Sequence, residues 1–406
     1  MRKKLLFISD HGDPLAALGG EQAGGQNNYV KQLALALDQK GHQVDVITHW
    51  ADVSKPQAES FGNRCRVIRI SGGKKGYVPK SDLYDILPAF YAEMCETIDP
   101  SSYDAMHTHY WLSGLLGLNI AKDFGLPWIH TSHSLGIAKA QATGQREQER
   151  LQAERVILEH ADKIVATTKT ERNLIQGFVT DPAPIHVIPI GVDKSFESKT
   201  LTTQSDSPYF AFAGRLESTK GIFTLIRAFR LLKEKNELPT STKLVIAGGD
   251  TNQVDPQTKT PICPKLKKAV NGVEDHILFI GARTQSQLAR LFNGATAVVV
   301  PSTYESFGMV AAEAQASGCP VIASAVGGLK DVVQHRETGL HVEGENTLQL
   351  ARAMKFLAAN QEFARLLGRK AASFARREFN WPTVAKKMDN IYEVVIRETE
   401  KIYAGD

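Results

Sequence analysis

Short apolar runs alternate with longer stretches of helical spacing along the whole chain, and the alternation comes in two series. In the first, Leu5 to Ser9 reads as a strand and Asn28 to Lys40 as a helix whose Tyr29, Leu33, Leu35 and Leu37 face a sheet. Gly41 stops that helix, and Val44 to Thr48 returns to strand. Val67 to Ile70, Ala105 to His107, Trp128 to Thr131, Ile164 to Thr167 and His186 to Ile190 continue the series. Helices set between apolar strands predict a parallel sheet covered on both faces.

Aliphatic density drops at Gly191-Val-Asp-Lys and through the polar stretch from Glu197 to Pro208. A second series follows, with strands at Tyr209 to Ala213, Lys243 to Ala247, Ile277 to Ile280, Ala297 to Val300 and Pro320 to Ser324. Its helices include Gly221 to Lys235, Ser286 to Phe292 and Val310 to Ala316. Thr347 to Arg377 reads as one helix, and another follows Trp381-Pro382, amphipathic through Val384, Met388, Ile391 and Val395. Thr251 to Val273 mixes Pro, Lys, Asn and Gly and reads as an exposed excursion. The pattern predicts two α/β domains, 1–193 and 194–382, the first completed by the final helix at about 383–406.

The length of 406 residues exceeds what one hydrophobic core usually supports, in keeping with two domains. With 42% hydrophobic and 23% charged residues and a formal charge of +4, the composition is that of a soluble globular protein. It gives no reason to expect a nucleic-acid or membrane partner, although basic residues gathered in one place could attract an anionic metabolite. Cys65, Cys95, Cys263 and Cys319 are too far apart for a compact metal framework and read as reduced thiols. Leu5-Leu6-Phe7-Ile8 is cut short by Asp10, His11 and Asp13, far below the length of a secretory or spanning segment, so a cytoplasmic location is expected.

Candidate chemistry gathers where apolar runs end. Pro301-Ser-Thr-Tyr-Glu305-Ser-Phe307-Gly308-Met309-Val310 follows the run Ala297 to Val300 and opens a helix that carries Glu313 about one turn in. The N–H groups of Phe307, Gly308 and Met309 can point at a phosphate or sugar. Singly, Glu305 is an ordinary loop residue and Glu313 an ordinary helix charge; as a pair at a strand end they suit hydroxyl recognition. Phe212-Ala-Gly-Arg215-Leu-Glu-Ser-Thr-Lys220-Gly221 places a planar guanidinium and a compact cation at another strand end, where both suit a diphosphate. Ala23-Gly24-Gly25-Gln26 sits between the first strand and helix and lets backbone amides approach a phosphate. It lacks the dinucleotide fingerprint spacing, which argues against a NAD-dependent dehydrogenase.

His107-Thr-His109-Tyr-Trp111 and His130-Thr-Ser-His133 end two further strands. No acidic residue accompanies them at tight spacing, so they read as hydrogen-bonding groups rather than a zinc site, and no metal is expected. Lys74, Lys75, Lys80, Lys139, Arg146 and Arg172 supply basic groups in the first domain, without the interleaved aromatics of a nucleic-acid surface.

From about residue 5 to 395 these features together resemble the retaining glycosyltransferases of the GT-B architecture, in the family that contains bacterial sucrose-phosphate synthases and sucrose synthases, glycosyltransferase family 4. The match is carried by Glu305 through Glu313, by Gly318-Cys-Pro-Val-Ile-Ala and Gly327-Gly328, and by Gly214-Arg215 through Lys220-Gly221. The resemblance implies two Rossmann-like domains facing a central cleft, an acceptor-binding one first and a nucleotide-sugar-binding one second. It implies Gly25 near the donor phosphate, Arg215 and Lys220 on the diphosphate, and Glu313 on the ribose. It places Glu305 with the amides of Phe307 to Met309, beside Val310, on the transferred sugar, and His133 against that sugar near its anomeric carbon. No cofactor beyond the nucleotide sugar, UDP-glucose or ADP-glucose, is implied.

The sequence further resembles sucrose-phosphate synthases in His109-Tyr-Trp111, in His133-Ser-Leu-Gly136 with Lys139, and in Glu171-Arg172. That implies fructose 6-phosphate held by Gln26, Lys80, His109, Lys139 and Arg172, with sucrose 6-phosphate as product and release of free sucrose left to a separate phosphatase. Asn27-Asn-Tyr29 and His107 to Gly114 look like the transferases that glycosylate inositol 3-phosphate, the alternative acceptor, and sucrose synthase is a further one. A nucleotide-sugar-binding regulatory protein on the same scaffold is the non-enzymatic alternative, disfavoured by the presence of both glutamates, Arg215 and Lys220.

Overall fold

The computed structural model describes residues 2–16, 24–197, 208–249 and 253–404. The chain divides into two compact units, one formed by Met1–Gly191 with Trp381–Asp406 and the other by Val192–Asn380. Ala23 of the glycine stretch, Thr251 and Asn252 of the expected excursion, and most of the polar stretch after Glu197 lie outside the described residues.

The first unit holds strands β1 (Lys4–Ile8), β2 (Gln43–His49), β3 (Ala58–Phe61), β4 (Cys65–Ile70), β5 (Ala105–His109), β6 (Trp128–Thr131), β7 (Lys163–Ala166) and β8 (Ile185–Val187). Their order is β3-β4-β2-β1-β5-β6-β7-β8, parallel except for the β3–β4 pair. The second unit contains β9 (Tyr209–Ala213), β10 (Lys243–Ala247), β11 (Ile277–Gly281), β12 (Ala297–Val300), β13 (Val321–Ser324) and β14 (Gly339–Val342), ordered β11-β10-β9-β12-β13-β14 and all parallel. Each is a Rossmann-like α/β domain, as the alternation of runs predicts. The strand order reverses at β1/β5 in one sheet and at β9/β12 in the other, and in such sheets ligands bind outside the carboxyl ends of the strands at that reversal.

Packing explains both the agreement and the departures. Tyr29, Val30, Leu33, Ala34 and Leu37 are the buried stripe of the helix Gly25–Gln39, while Leu35 lies at its margin. β3 and β14 escape the apolar-run reading because β3 is a half-exposed edge, Ala-Glu-Ser-Phe, and β14 is a four-residue edge begun by glycine. The expected long helix is two, Thr347–Ala359 and Gln361–Glu378, interrupted at Asn360, whose side-chain amide donates to the Phe356 carbonyl at 2.8 Å. The region after residue 252 is less open than expected, since Leu266 and Val270 of the helix Pro264–Val270 are buried with Val254.

The last helix, Trp381–Ala404, belongs to the first unit. Asp389 binds Lys3 at 2.7 Å, His42 at 3.1 Å and Lys40 at 3.3 Å, and Glu398 binds Lys163 at 2.7 Å. No helix among the described residues is long and apolar enough to cross a membrane.

Candidate active site

At the β1/β5 reversal of the first unit, the backbone just past three strand ends carries polar groups inward. After β1, Asp10 is almost fully buried, with its carboxylate accepting from the Ser113 hydroxyl at 2.6 Å and facing His11 Nδ1 at 3.2 Å. Burial alone would raise its pKa, but His11, the Ser113 hydroxyl and Lys80 outweigh that and hold it below the usual carboxylate range. After β5, Tyr110 takes a left-handed backbone (φ 79°), and after β6 so does His133 (φ 57°). Two non-glycine residues in that region at adjoining strand ends mark strain of the kind that fixed functional geometry retains.

The Tyr110 ring is a platform for two cations. Lys80 Nζ lies 3.9 Å from its centroid and the Arg150 guanidinium carbon 5.0 Å. Arg150, buried in the helix Gln148–His160, donates from Nε to Glu154 at 2.8 Å and from Nη2 to the Ser134 carbonyl at 2.7 Å. Glu154 in turn accepts the Gly136 N–H at 2.8 and 2.9 Å. Lys139 is neutralised by Glu147 at 2.5 Å. Lys80 is exposed as a residue, yet protein surrounds it closely enough that desolvation, with Arg150 and Lys139 nearby and only partial relief from Asp10, lowers its pKa to about 8. It has no ion pair or hydrogen bond among the described residues, and so is the cation of the group with charge to spare.

Gln26, in the first turn of the helix Gly25–Gln39, donates from Nε2 to Ser9 Oγ at 3.0 Å and to the His109 carbonyl at 3.3 Å, which ties the helix start to the ends of β1 and β5. Gly25 begins that helix, and among the described residues nothing lies within 4 Å of where a Cβ would project. The histidines are consumed by hydrogen bonds. His107 bonds Tyr392 Oη at 2.7 Å and Thr131 Oγ1 at 2.8 Å, His130 bonds Thr108 Oγ1 at 2.8 Å, and His109 Nδ1 lies 3.0 Å from His133 Nε2. Among the described residues no three His, Cys, Asp or Glu side chains are grouped to hold a metal ion.

Two of the expected acceptor groups stand elsewhere. His109 is fully buried behind His133, so its ring has no surface to offer a substrate. Arg172 donates to its neighbour Asn173 at 3.1 Å and makes no contact with the Tyr110 ring among the described residues. Arg150 is the guanidinium that stands at the Tyr110 ring, and no local signal in the Glu-, Gln- and Arg-rich helix Gln148–His160 points to it. Tyr110 and Ser113 lie within His107 to Gly114, where the spacing offers a signal but the role does not show.

At the β9/β12 reversal of the second unit, loops lock backbone to backbone. Gly221 (φ 73°) packs so closely that a Cβ would sit 1.9 Å from the Pro301 carbonyl oxygen, and Thr303 N–H donates to the Thr219 carbonyl at 2.9 Å. That approach sets Lys220 Nζ 2.6 Å from Glu305 Oε1, which also accepts from Ser302 Oγ at 3.1 Å. Arg215 is 77% exposed and pairs with Glu217 at 3.1 Å, so it is free to swing. Gly308 (φ 102°) turns the chain into the helix Met309–Ala316, leaving no room for a Cβ beside Leu329. The first amides of that helix, at Met309 and Val310, precede its ladder and are available with those of Phe307 and Gly308. Glu313, on the next turn, is 9% exposed; burial, with a smaller push from Asp193, raises its pKa to about 8.

Known proteins resemble this chain along its whole length. Residues 24–191 match the glycosyl transferase 4-like domain and residues 193–374 match glycosyl transferases group 1. A D-inositol 3-phosphate glycosyltransferase of Xylanimonas cellulosilytica is 33% identical over 96% of both chains, and one of Actinosynnema mirum is 31% identical over 95% of this chain and 96% of its own. The solved sucrose-phosphate synthase of Thermosynechococcus elongatus superposes with a TM-score of 0.87 at 34% identity, covering 100% of both chains.

Proposed function

The chain belongs to the group 1 glycosyl transferases, with the GT-B fold, and moves a sugar from a nucleotide-sugar donor; we propose that its acceptor is a phosphorylated polyol, inositol 3-phosphate before fructose 6-phosphate. The observation that carries this reading is Lys80, a cation that forms no carboxylate ion pair among the described residues, held beside Arg150 on the Tyr110 ring. A phosphate monoester supplies the charge and the acceptor oxygens that such a group lacks. Inositol comes first because curated relatives that match nearly end to end are inositol 3-phosphate transferases. Fructose 6-phosphate is the second reading, favoured by the full-length likeness to a sucrose-phosphate synthase and by the Ser-Leu-Gly after His133.

In the donor half, a diphosphate competes with Glu305 for Lys220 and draws in the exposed Arg215. As the bond to the anomeric carbon breaks, Lys220, Arg215 and the amides of Phe307 to Val310 stabilise the charge that grows on the leaving phosphate. Glu313 meets the ribose hydroxyls, Glu305 the transferred sugar, and Gly25 gives the donor phosphate an unobstructed helix start. His133 is a neutral imidazole, its pKa lowered to about 3 by burial and by His130 and His11, so it serves the sugar by hydrogen bonding rather than by charge. We infer front-face transfer with retention, the departing phosphate oxygen taking the acceptor proton.

UDP-glucose and ADP-glucose, each offered with inositol 3-phosphate, fructose 6-phosphate or fructose, test the reading by product analysis. Turnover with the two phosphates but not with fructose is expected, inositol 3-phosphate leading. Equal use of fructose removes the phosphate pocket, and tight nucleotide binding without transfer to any acceptor favours the regulatory alternative.

A further inference from the structure

We propose that His109 is a positioning residue: its ring, hydrogen-bonded to His133, fixes His133 as the tautomer protonated on Nδ1, so that Nδ1–H is the donor offered to the sugar. His109 has no exposed surface, and its ring is wedged 4.2 Å from the His107 ring and edge-on to Phe7 at 5.2 Å and Tyr29 at 5.8 Å. His107 is itself held on both nitrogens, by Tyr392 and Thr131, so the stack beneath His109 has little freedom to turn.

Between His109 Nδ1 and His133 Nε2, 3.0 Å apart, lies one proton, because burial keeps both rings neutral and a neutral imidazole has one donor and one acceptor nitrogen. If His133 donated it, His109 would have to carry its own proton on Nε2, which is buried and finds no hydrogen-bond partner among the described residues. If His109 donates, the orphaned atom is a bare lone pair. An orphaned buried N–H is the rarer and costlier of the two. The proton therefore belongs to His109 Nδ1, His133 accepts on Nε2, and the remaining proton of His133 sits on Nδ1. The left-handed backbone of His133 holds the ring in that relation to His109.

The assignment of the donor role rests on the reading that His133 meets the transferred sugar; the tautomer itself does not. Ring-nitrogen NMR on the full chain labelled at histidine reads it directly, with the His133 signals identified by their loss in His133→Gln. The expected spectrum shows His133 protonated on Nδ1 in the wild type and in His109→Asn, whose amide N–H replaces Nδ1–H, and protonated on Nε2 in His109→Asp, whose carboxylate can only accept. In transfer assays His109→Leu lowers kcat on the order of 10- to 100-fold, with donor KM little changed, and His109→Asn recovers much of it. A wild-type His133 protonated on Nε2, or a His133 that stays unprotonated on Nε2 in His109→Asp, overturns the proposal. Should His109→Leu or His109→Asp fail to fold, the wild type and His109→Asn still decide it. Full turnover by His133→Gln would instead sink the sugar contact and leave the tautomer standing.

Discussion

The two candidate regions are built by opposite means. Around Tyr110 the surface is made of side chains brought from distant segments, Asp10, Lys80, Ser113 and Arg150, most of them buried and each tied to another. Around Glu305 it is made of backbone, with glycines letting loops touch and with Arg215 and Lys220 left movable at the edge. In the first, burial sets the charges and a lost partner strands a desolvated group. In the second, partners can be exchanged at less cost, since its ion pairs stay in part open to water. Function and stability are therefore entangled in the first region and separable in the second.

The largest expected effect breaks that comparison if it fails. Lys220→Ala should lower kcat about 10²- to 10³-fold, the range for removing one preorganised donor from a developing anion. The melting temperature should move by less than about 3 °C, because the Lys220–Glu305 pair is partly open to water. Steady-state kinetics and a thermal melt on the same preparation check both; a large melting shift would make the pair structural.

Next comes the side-chain-built region. Arg150→Leu should raise the acceptor KM roughly 10- to 100-fold through the lost charge-assisted contact. It should also unfold several degrees earlier, since Glu154, 2% exposed, loses its ion pair. Donor hydrolysis without acceptor should change little, which separates the phosphate contact from general damage. Arg172→Ala, by contrast, should leave the acceptor KM within about twofold, because among the described residues that guanidinium hydrogen-bonds Asn173 alone. Equal penalties at the two arginines would dissolve the pocket drawn around Tyr110.

The same difference in construction governs how far the amino-acid sequence discloses each region. Strand ends, the two-sheet division and the donor loops are legible in it because glycine, a helix start and paired carboxylates must lie close along the chain to build a backbone site; Gly221, Gly308, Glu305 and Glu313 stand where the spacing predicts. The Tyr110 region is legible only in part. Lys80 and Gln26 stand out, but Arg150 comes from a helix whose charged pattern looks like any solvated face, Arg172 attracts the role in its place, and His109 reads as a contact although it lies behind His133. A side-chain site is specified by tertiary packing, which local spacing does not encode. β3 and β14 escape notice for a related reason, since edge strands need no continuous apolar run.

Glu313 is where the backbone-built region acquires a burial-controlled charge, and it gives the smallest and sharpest test. Its pKa is raised from 4.5 to about 8 by burial and by Asp193. Between those values the folded chain keeps a proton that the unfolded chain has released, so the contribution is fully present below the unfolded value and is lost as pH rises through the folded one. Glu313→Gln carries the neutral form's shape without the titration. Its melting temperature relative to wild type should therefore rise by several degrees between about pH 5 and pH 8.5, and then level. Parallel melting curves across that window would mean that the carboxylate finds compensation in the folded chain, and the second region would then hold no burial-controlled charge at all. A rising difference would show that one buried side chain inside a backbone-built site follows the rules of the other region, so that what divides the two is the environment of each group rather than the unit in which it lies.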